Sequence, residues 1–138
     1  MKDLMNNIDV KRVISPVSVA DNTAQVGQVI DGQGAASVTY VIATGSLADA
    51  DATFTVLLEE CDTSGGTYTA VADADLIGTE VLASFQFDDD NECRKLGYKG
   101  TKRYTRLTIT PANNASAGLI AAVAILQPAI VPTANPPA

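Results

Sequence analysis

The chain has 138 residues, enough for one domain that buries a core without disulfide or metal staples. It contains no His and no Trp, and its 16 acidic and 9 basic residues give a net charge of -7 at pH 7. The missing His removes the side chain that most often serves near neutral pH as base, proton shuttle or metal ligand, and the acidity argues against wrapping nucleic acid.

The opening stretch, "MKDLMNNIDVKRV", has no apolar signal core, so a soluble, unsecreted chain is expected. Residues 1–16 are polar and irregular and end in "SPV"; they read as an N-terminal arm. From residue 17 to 126 period-two patterns dominate. "SVTYVIAT" places Val38, Tyr40 and Ile42 on one face and Thr39, Val41 and Ala43 on the other. "ATFTVLLEE" does the same with Phe54, Val56 and Leu58, and "RYTRLTIT" with Thr105, Leu107 and Ile109. Such alternation, rich in β-branched residues, is that of half-buried strands. "DGQG", "TGSLADAD", "TSGG", "YKGTK" and "PANNASAG" break the runs as turns. A short helix-like piece is expected around Asp73 to Ile77. "GLIAAVAIL", Gly118 to Leu126, is too short to span a bilayer and suits a buried final strand. The fold class expected is all-β: an antiparallel β-sandwich with extended N- and C-terminal arms. The second arm is "QPAIVPTANPPA", residues 127–138, whose four prolines favour extended polyproline geometry. It is either a frayed terminus or an arm lying on a neighbouring subunit, with Ile130 and Val131 as its apolar contacts.

Charge is unevenly placed. No Lys or Arg occurs between Val13 and Cys93, and six of the nine fall between Arg94 and Arg106. The stretch "FDDDNECRKLGYKGTKRY" reads as two turns with a short strand between them, feeding the strand "RYTRLTIT". Its basic end is either a solvated hairpin or a contact patch, in which Lys99, Lys102 and Arg103 would meet an acidic partner or a sister subunit. A single-strand nucleic-acid site in "RKLGYKGTKRYTR" is disfavoured by the acidic surroundings and the missing RNP-type motif.

Elsewhere the sequence offers little that could carry chemistry. "DDDNE", Asp88 to Glu92, lacks the bend glycine of a calcium loop, and Lys99 occupies the position of its terminal acid, so no metal site is expected. No GxSxG elbow, phosphate loop or dinucleotide fingerprint is present, and no His is available to activate a Ser or Thr. Glu59 and Glu60, adjacent on a strand, point to opposite faces and cannot act as a carboxylate pair. Cys61 and Cys93 make neither a zinc pattern nor a CxxC pair, and reduced thiols are expected. The residues therefore suggest no enzyme and no cofactor.

Taken together, the "TFTVLLE" strand, the acidic glycine-bearing turn after it, "KRYTRLTIT" and the small-residue strand "AGLIAAVAIL" resemble small structural proteins of tailed bacteriophages. The family they are most similar to is the capsid cement, or decoration, proteins, over most of residues 21–127. The resemblance implies a jelly-roll-like β-sandwich without an active site or cofactor. It implies a virion protein made in the host cytoplasm that binds the outer capsid surface and cements adjacent major capsid subunits. It would also be a homo-oligomer, a dimer ahead of a trimer, with no membrane or direct nucleic-acid partner. Two alternatives stay open: another phage component (neck, tail or fibre base) and a carbohydrate-binding sandwich, which the absence of Trp disfavours.

Overall fold

The computed structural model describes residues 2–129 and 133–136. The alternating runs form the long strands: β1 (Asp9–Val19), β4 (Ala35–Leu47), β5 (Thr53–Cys61), β9 (Cys93–Tyr98), β10 (Tyr104–Ala112) and β11 (Gly118–Pro128). Two-residue pieces fill the edges: β2 (Gln25–Val26), β3 (Ile30–Asp31), β6 (Thr69–Ala70), β7 (Leu76–Ile77) and β8 (Phe85–Gln86). A one-turn helix, α1 (Glu80–Ala83), lies between β7 and β8.

The first sheet has the order β1-β11-β4-β9-β7. In the second, β10 and β5 pair along their whole length; β2 and β3 line the far side of β10, and β6 and β8 the far side of β5. Every pairing is antiparallel. The first strand pairs with the last, the β2/β3 segment with the next to last, β4 with β9, and β5 with the β6 that follows it. That nested pairing is the wrapping of a jelly roll, so the expected all-β sandwich class holds.

The inner faces are those the alternation assigned. Tyr40, Ile42, Leu96, Ala122, Ala124 and Leu126 of the first sheet face Phe54, Val56, Leu58, Leu107 and Ile109 of the second, all buried. Alanine on β11 keeps the centre of the first sheet thin, and Tyr40 beside Ala124 fills the space this leaves. The rings of Phe54 and Phe85 stack at 4.8 Å near one end. Burial of this set, at about 25 cal/mol per Å² of apolar surface, is the main favourable term in folding.

Helix α1 has a role that local pattern does not disclose. Thr79 caps it, its side chain accepting from the Leu82 amide at 3.1 Å. Glu80 then accepts the Leu58 amide at 2.7 Å, and Ser84 accepts the Val56 amide at 2.9 Å. These two side chains satisfy the edge of β5 between β6 and β8, which would otherwise offer free donors to another chain.

Three boundaries differ from expectation. The N-terminal arm does not extend to residue 16, because residues 9–16 belong to β1. Pro16 is accommodated there because β1 is an edge strand and Pro16 sits at a register shift between Ile14 and Val17, where no ladder bond is lost. Likewise β11 runs to Pro128, two residues beyond the expected domain end, before Ala129 donates to the Gly34 carbonyl. Asp73–Asp75 forms a single 3-10 turn leading into β7 rather than a helix reaching Ile77.

Candidate functional site

The charged segment folds as two turns about β9. Its acidic turn is held by its own carboxylates. Asp90 accepts the Leu47 amide at 2.6 Å, Asp89 accepts the Gln86 amide at 2.9 Å, and Asp88 accepts from the Gln86 side chain at 2.8 Å. Arg94 bridges Asp89 and Glu92, each at 2.7 Å. The Asp and Glu side chains are thus used in building the turn. Among the described residues no group of three or more Asp, Glu or Cys side chains converges as metal ligands would.

The basic turn follows β9. Lys99, Lys102 and Arg103 are all exposed. Two are answered within the chain: Lys102 pairs with Asp62 at 2.5 Å, and Arg103 grips Asp31 through two hydrogen bonds of 2.9 and 2.7 Å. The Arg103 guanidinium holds the Asp31 carboxyl below the usual carboxylate range, and Asp62 holds the Lys102 ammonium above the usual lysine range. Lys99 makes no ion pair among the described residues. Charge across this end of the sandwich is therefore paired locally rather than polarised as the sequence suggested. Ile130 and Val131, the other expected contacts, lie outside the described residues.

Glu59 and Glu60 point to opposite faces and work separately. Glu59 takes Arg106 at 2.8 Å on the outer face of the second sheet. Glu60 turns inward and accepts the phenolic proton of Tyr98 at 2.6 Å, while the Tyr98 oxygen accepts the Lys102 amide at 3.0 Å. Burial, with the Glu60 hydrogen bond added, keeps the Tyr98 phenol well above the usual tyrosine range. This network locks the hairpin to the core.

Two outer faces remain. On the second sheet, Tyr68 and Tyr104 are half-buried, and each carries a guanidinium on its ring: Arg106 at 4.4 Å over Tyr68 and Arg103 at 4.9 Å over Tyr104. On the first sheet the outward positions of β11 and β4 are aliphatic or small, among them Leu119, Ala121, Val123, Ile125, Val41 and Ala43. Leu119 is 46% exposed. This face carries two shallow grooves, of about 370 Å³ beside Pro16 and Leu119 and about 490 Å³ beside Ile77, Leu82 and Cys93. Alternation in the sequence puts Val41 and Ala43 with Thr39 on the face opposite Tyr40 and Ile42, and gives that face no role.

Thr133, near one end of the chain, meets residues 5–8 near the other at one corner. Thr133 donates its amide to the Asn6 carbonyl at 3.0 Å and its hydroxyl to the Ile8 carbonyl at 2.6 Å. Beside this contact Leu4 and Met5 stand 66% and 62% exposed.

No protein-family model matches the chain, and no curated protein matches it in sequence. Among solved structures it is similar to the CBM22-1–GH10 modules of Clostridium thermocellum xylanase 10B with xylohexaose, at 12% identity and TM-score 0.46. That match covers 89% of this chain and 26% of the other, so the chain spans about a quarter of the xylanase it matches. The CBM22-1 xylan-binding domain of Paenibacillus barcinonensis Xyn10C is 14% identical with TM-score 0.42, covering 88% of each chain. Dimeric latent PorU from Porphyromonas gingivalis is 9% identical with TM-score 0.41, covering 88% of this chain and 13% of that one.

Proposed function

We propose that this chain is a non-catalytic structural protein of a tailed-phage virion, a cement protein that binds the outside of the capsid and bridges adjacent major capsid subunits. The observation that carries this reading is the corner where Thr133 meets residues 5–8, with Leu4 and Met5 projecting from a jelly-roll body. Exposed apolar side chains on a terminal arm have surface that a partner can bury. Repetition over a shell turns modest single contacts into avidity. The resemblance of the "TFTVLLE", "KRYTRLTIT" and "AGLIAAVAIL" strands to phage decoration proteins supports the same reading. Self-association, as a dimer ahead of a trimer, and assembly on the virion surface belong to this proposal. A neck, tail or fibre-base location is its nearest variant.

The second reading is a carbohydrate-binding module. Tyr68 and Tyr104, two half-buried rings at the outer face of the second sheet, are the observation that favours it. Against it, the guanidiniums already occupy one face of each ring, and the other two tyrosines, Tyr40 and Tyr98, are buried.

One experiment separates the two. The full chain is mixed with undecorated shells of a tailed-phage major capsid protein from the same source and sedimented, and in parallel is run through gels containing soluble xylan. Co-sedimentation with saturable occupancy and unaltered migration in xylan is expected. Retardation by xylan without shell binding would overturn the proposal in favour of the second reading.

A further inference from the structure

The outer face of the first sheet is charged in a way the rest of the molecule is not. Arg12 pairs with Val123, Val123 with Val41, and Val41 with Lys95, so these four residues form one cross-strand row. Two cations stand at the flanks of that row, three strand spacings or about 14 Å apart, with two valines between them. The neighbouring rows are uncharged: Val10, Ile125 and Thr39 on one side, Ala121, Ala43 and Cys93 on the other. No carboxylate occupies the outward positions of these strands, although the chain holds 16 acidic residues. Lys95 is exposed and makes no ion pair among the described residues, and Arg12 donates to the Ser15 hydroxyl at 2.9 Å. On the β9 side, Ile77, Val81 and Leu82, 58%, 82% and 69% exposed, form an apolar ridge beside the groove of about 490 Å³.

We infer that this face is the docking surface for a protein partner whose contact patch is apolar at its centre and bears carboxylates on both flanks. The inference rests on the capsid reading above, in which that partner belongs to the shell. Charge decides the choice of occupant. A second copy laid face to face would bring the Arg12 and Lys95 rows together with no carboxylate on either side to answer them. Aliphatic side chains in the middle exclude water, and the flanking cations set register and encounter rate. The hairpin cations Lys102 and Arg103 are already paired within the chain, which leaves this row as the better-placed cationic contact.

The chain carries its own reporters. Cys93 lies on this face, opposite Ala43, and Cys61 lies on the second sheet, opposite Tyr104. The full chain, free and bound to undecorated shells of a tailed-phage major capsid protein from the same source, is pulsed with N-ethylmaleimide and each cysteine is quantified by mass spectrometry. At least tenfold slower labelling of Cys93 on shells, with Cys61 unchanged, is the expected result. The double variant Arg12→Glu, Lys95→Glu should bind at least tenfold more weakly at low salt and lose its salt dependence, with an unchanged melting curve. If that variant does not fold, the labelling result stands without it. Shell binding with Cys93 labelled as in the free chain overturns the inference and leaves the capsid reading intact. Failure to bind shells at all overturns both. Protection of Cys93 by self-association in sedimentation, or by phosphatidylglycerol vesicles, overturns the inference in favour of a second copy or a lipid surface.

Discussion

The hydroxyls of Tyr40 and Thr105 meet at 2.6 Å between the two sheets, each on a residue no more than 2% exposed. This bond joins β4 of one sheet to β10 of the other across the interior. Burial keeps the Tyr40 phenol far above the usual tyrosine range, so it stays neutral at working pH. Tyr40→Phe would leave the Thr105 hydroxyl buried without its partner, at a cost of about 1–3 kcal/mol. Urea denaturation should register that loss, and adding Thr105→Val should recover part of it. A Tyr40→Phe protein as stable as the parent would show that the bond contributes nothing net.

Two exposed aspartates give opposite pH signatures. The Arg103 hydrogen bonds lower the Asp31 pKa from its ordinary 3.8. Its contribution to stability is present above the unfolded pKa and is lost as pH falls through the folded one. Asp51 is raised, because its carboxyl lies against that of Asp49, so it opposes folding at neutral pH and relaxes on acidification. Asp31→Asn should therefore melt lower than the parent at pH 7, and Asp51→Asn slightly higher. The first difference should shrink as pH falls below 3.8 through the lowered pKa, and the second earlier, as pH falls through the raised pKa toward 3.8. Thermal melts across that range check the sign of each.

Calcium should not bind the acidic turn with any saturable heat, because Asp88, Asp89 and Asp90 already hold Gln86 and Leu47. Asp90→Ala should cost about 1 kcal/mol by releasing the Leu47 amide. A micromolar calcium site by calorimetry, lost in Asp88→Ala and Asp90→Ala, would refute this.

Cys61 and Cys93 lie in different sheets as free thiols, one half-buried and one exposed. Alkylation without reductant should add two groups per chain, whereas a two-dalton deficit without alkylation would contradict it.

Reversing Lys99, Lys102 and Arg103 to Glu breaks two exposed pairs, each worth about 0–1 kcal/mol, so the melting curve should fall only modestly. Shell association should slow far less than for the Arg12 and Lys95 reversal, a comparison that stopped-flow rates at low salt would settle.

Much of the fold could be read from alternation alone. The runs around Tyr40, Val56 and Leu107 place their buried faces correctly because long strands repeat the period several times. Strands of two residues, such as β7 and β8, carry no period to read. Helix α1 exists for a non-local reason: Glu80 and Ser84 serve amides more than twenty residues away. β1 was hidden by Pro16, whose edge position makes it harmless. The outer faces were less legible. Arg103 and Asp31 are 72 residues apart, so nothing local announced that this cation was already answered. The row from Arg12 to Lys95 draws on four separate strands and exists only through their register.

Whether this chain coats a capsid, as proposed, shows in its copy number. The most direct test is to count its copies against the major capsid protein in purified virions by quantitative mass spectrometry. A copy number commensurate with the capsid subunits, over the whole shell, is the predicted result. A number matching a single vertex would move the chain to the neck or tail, and its absence from particles would contradict the account.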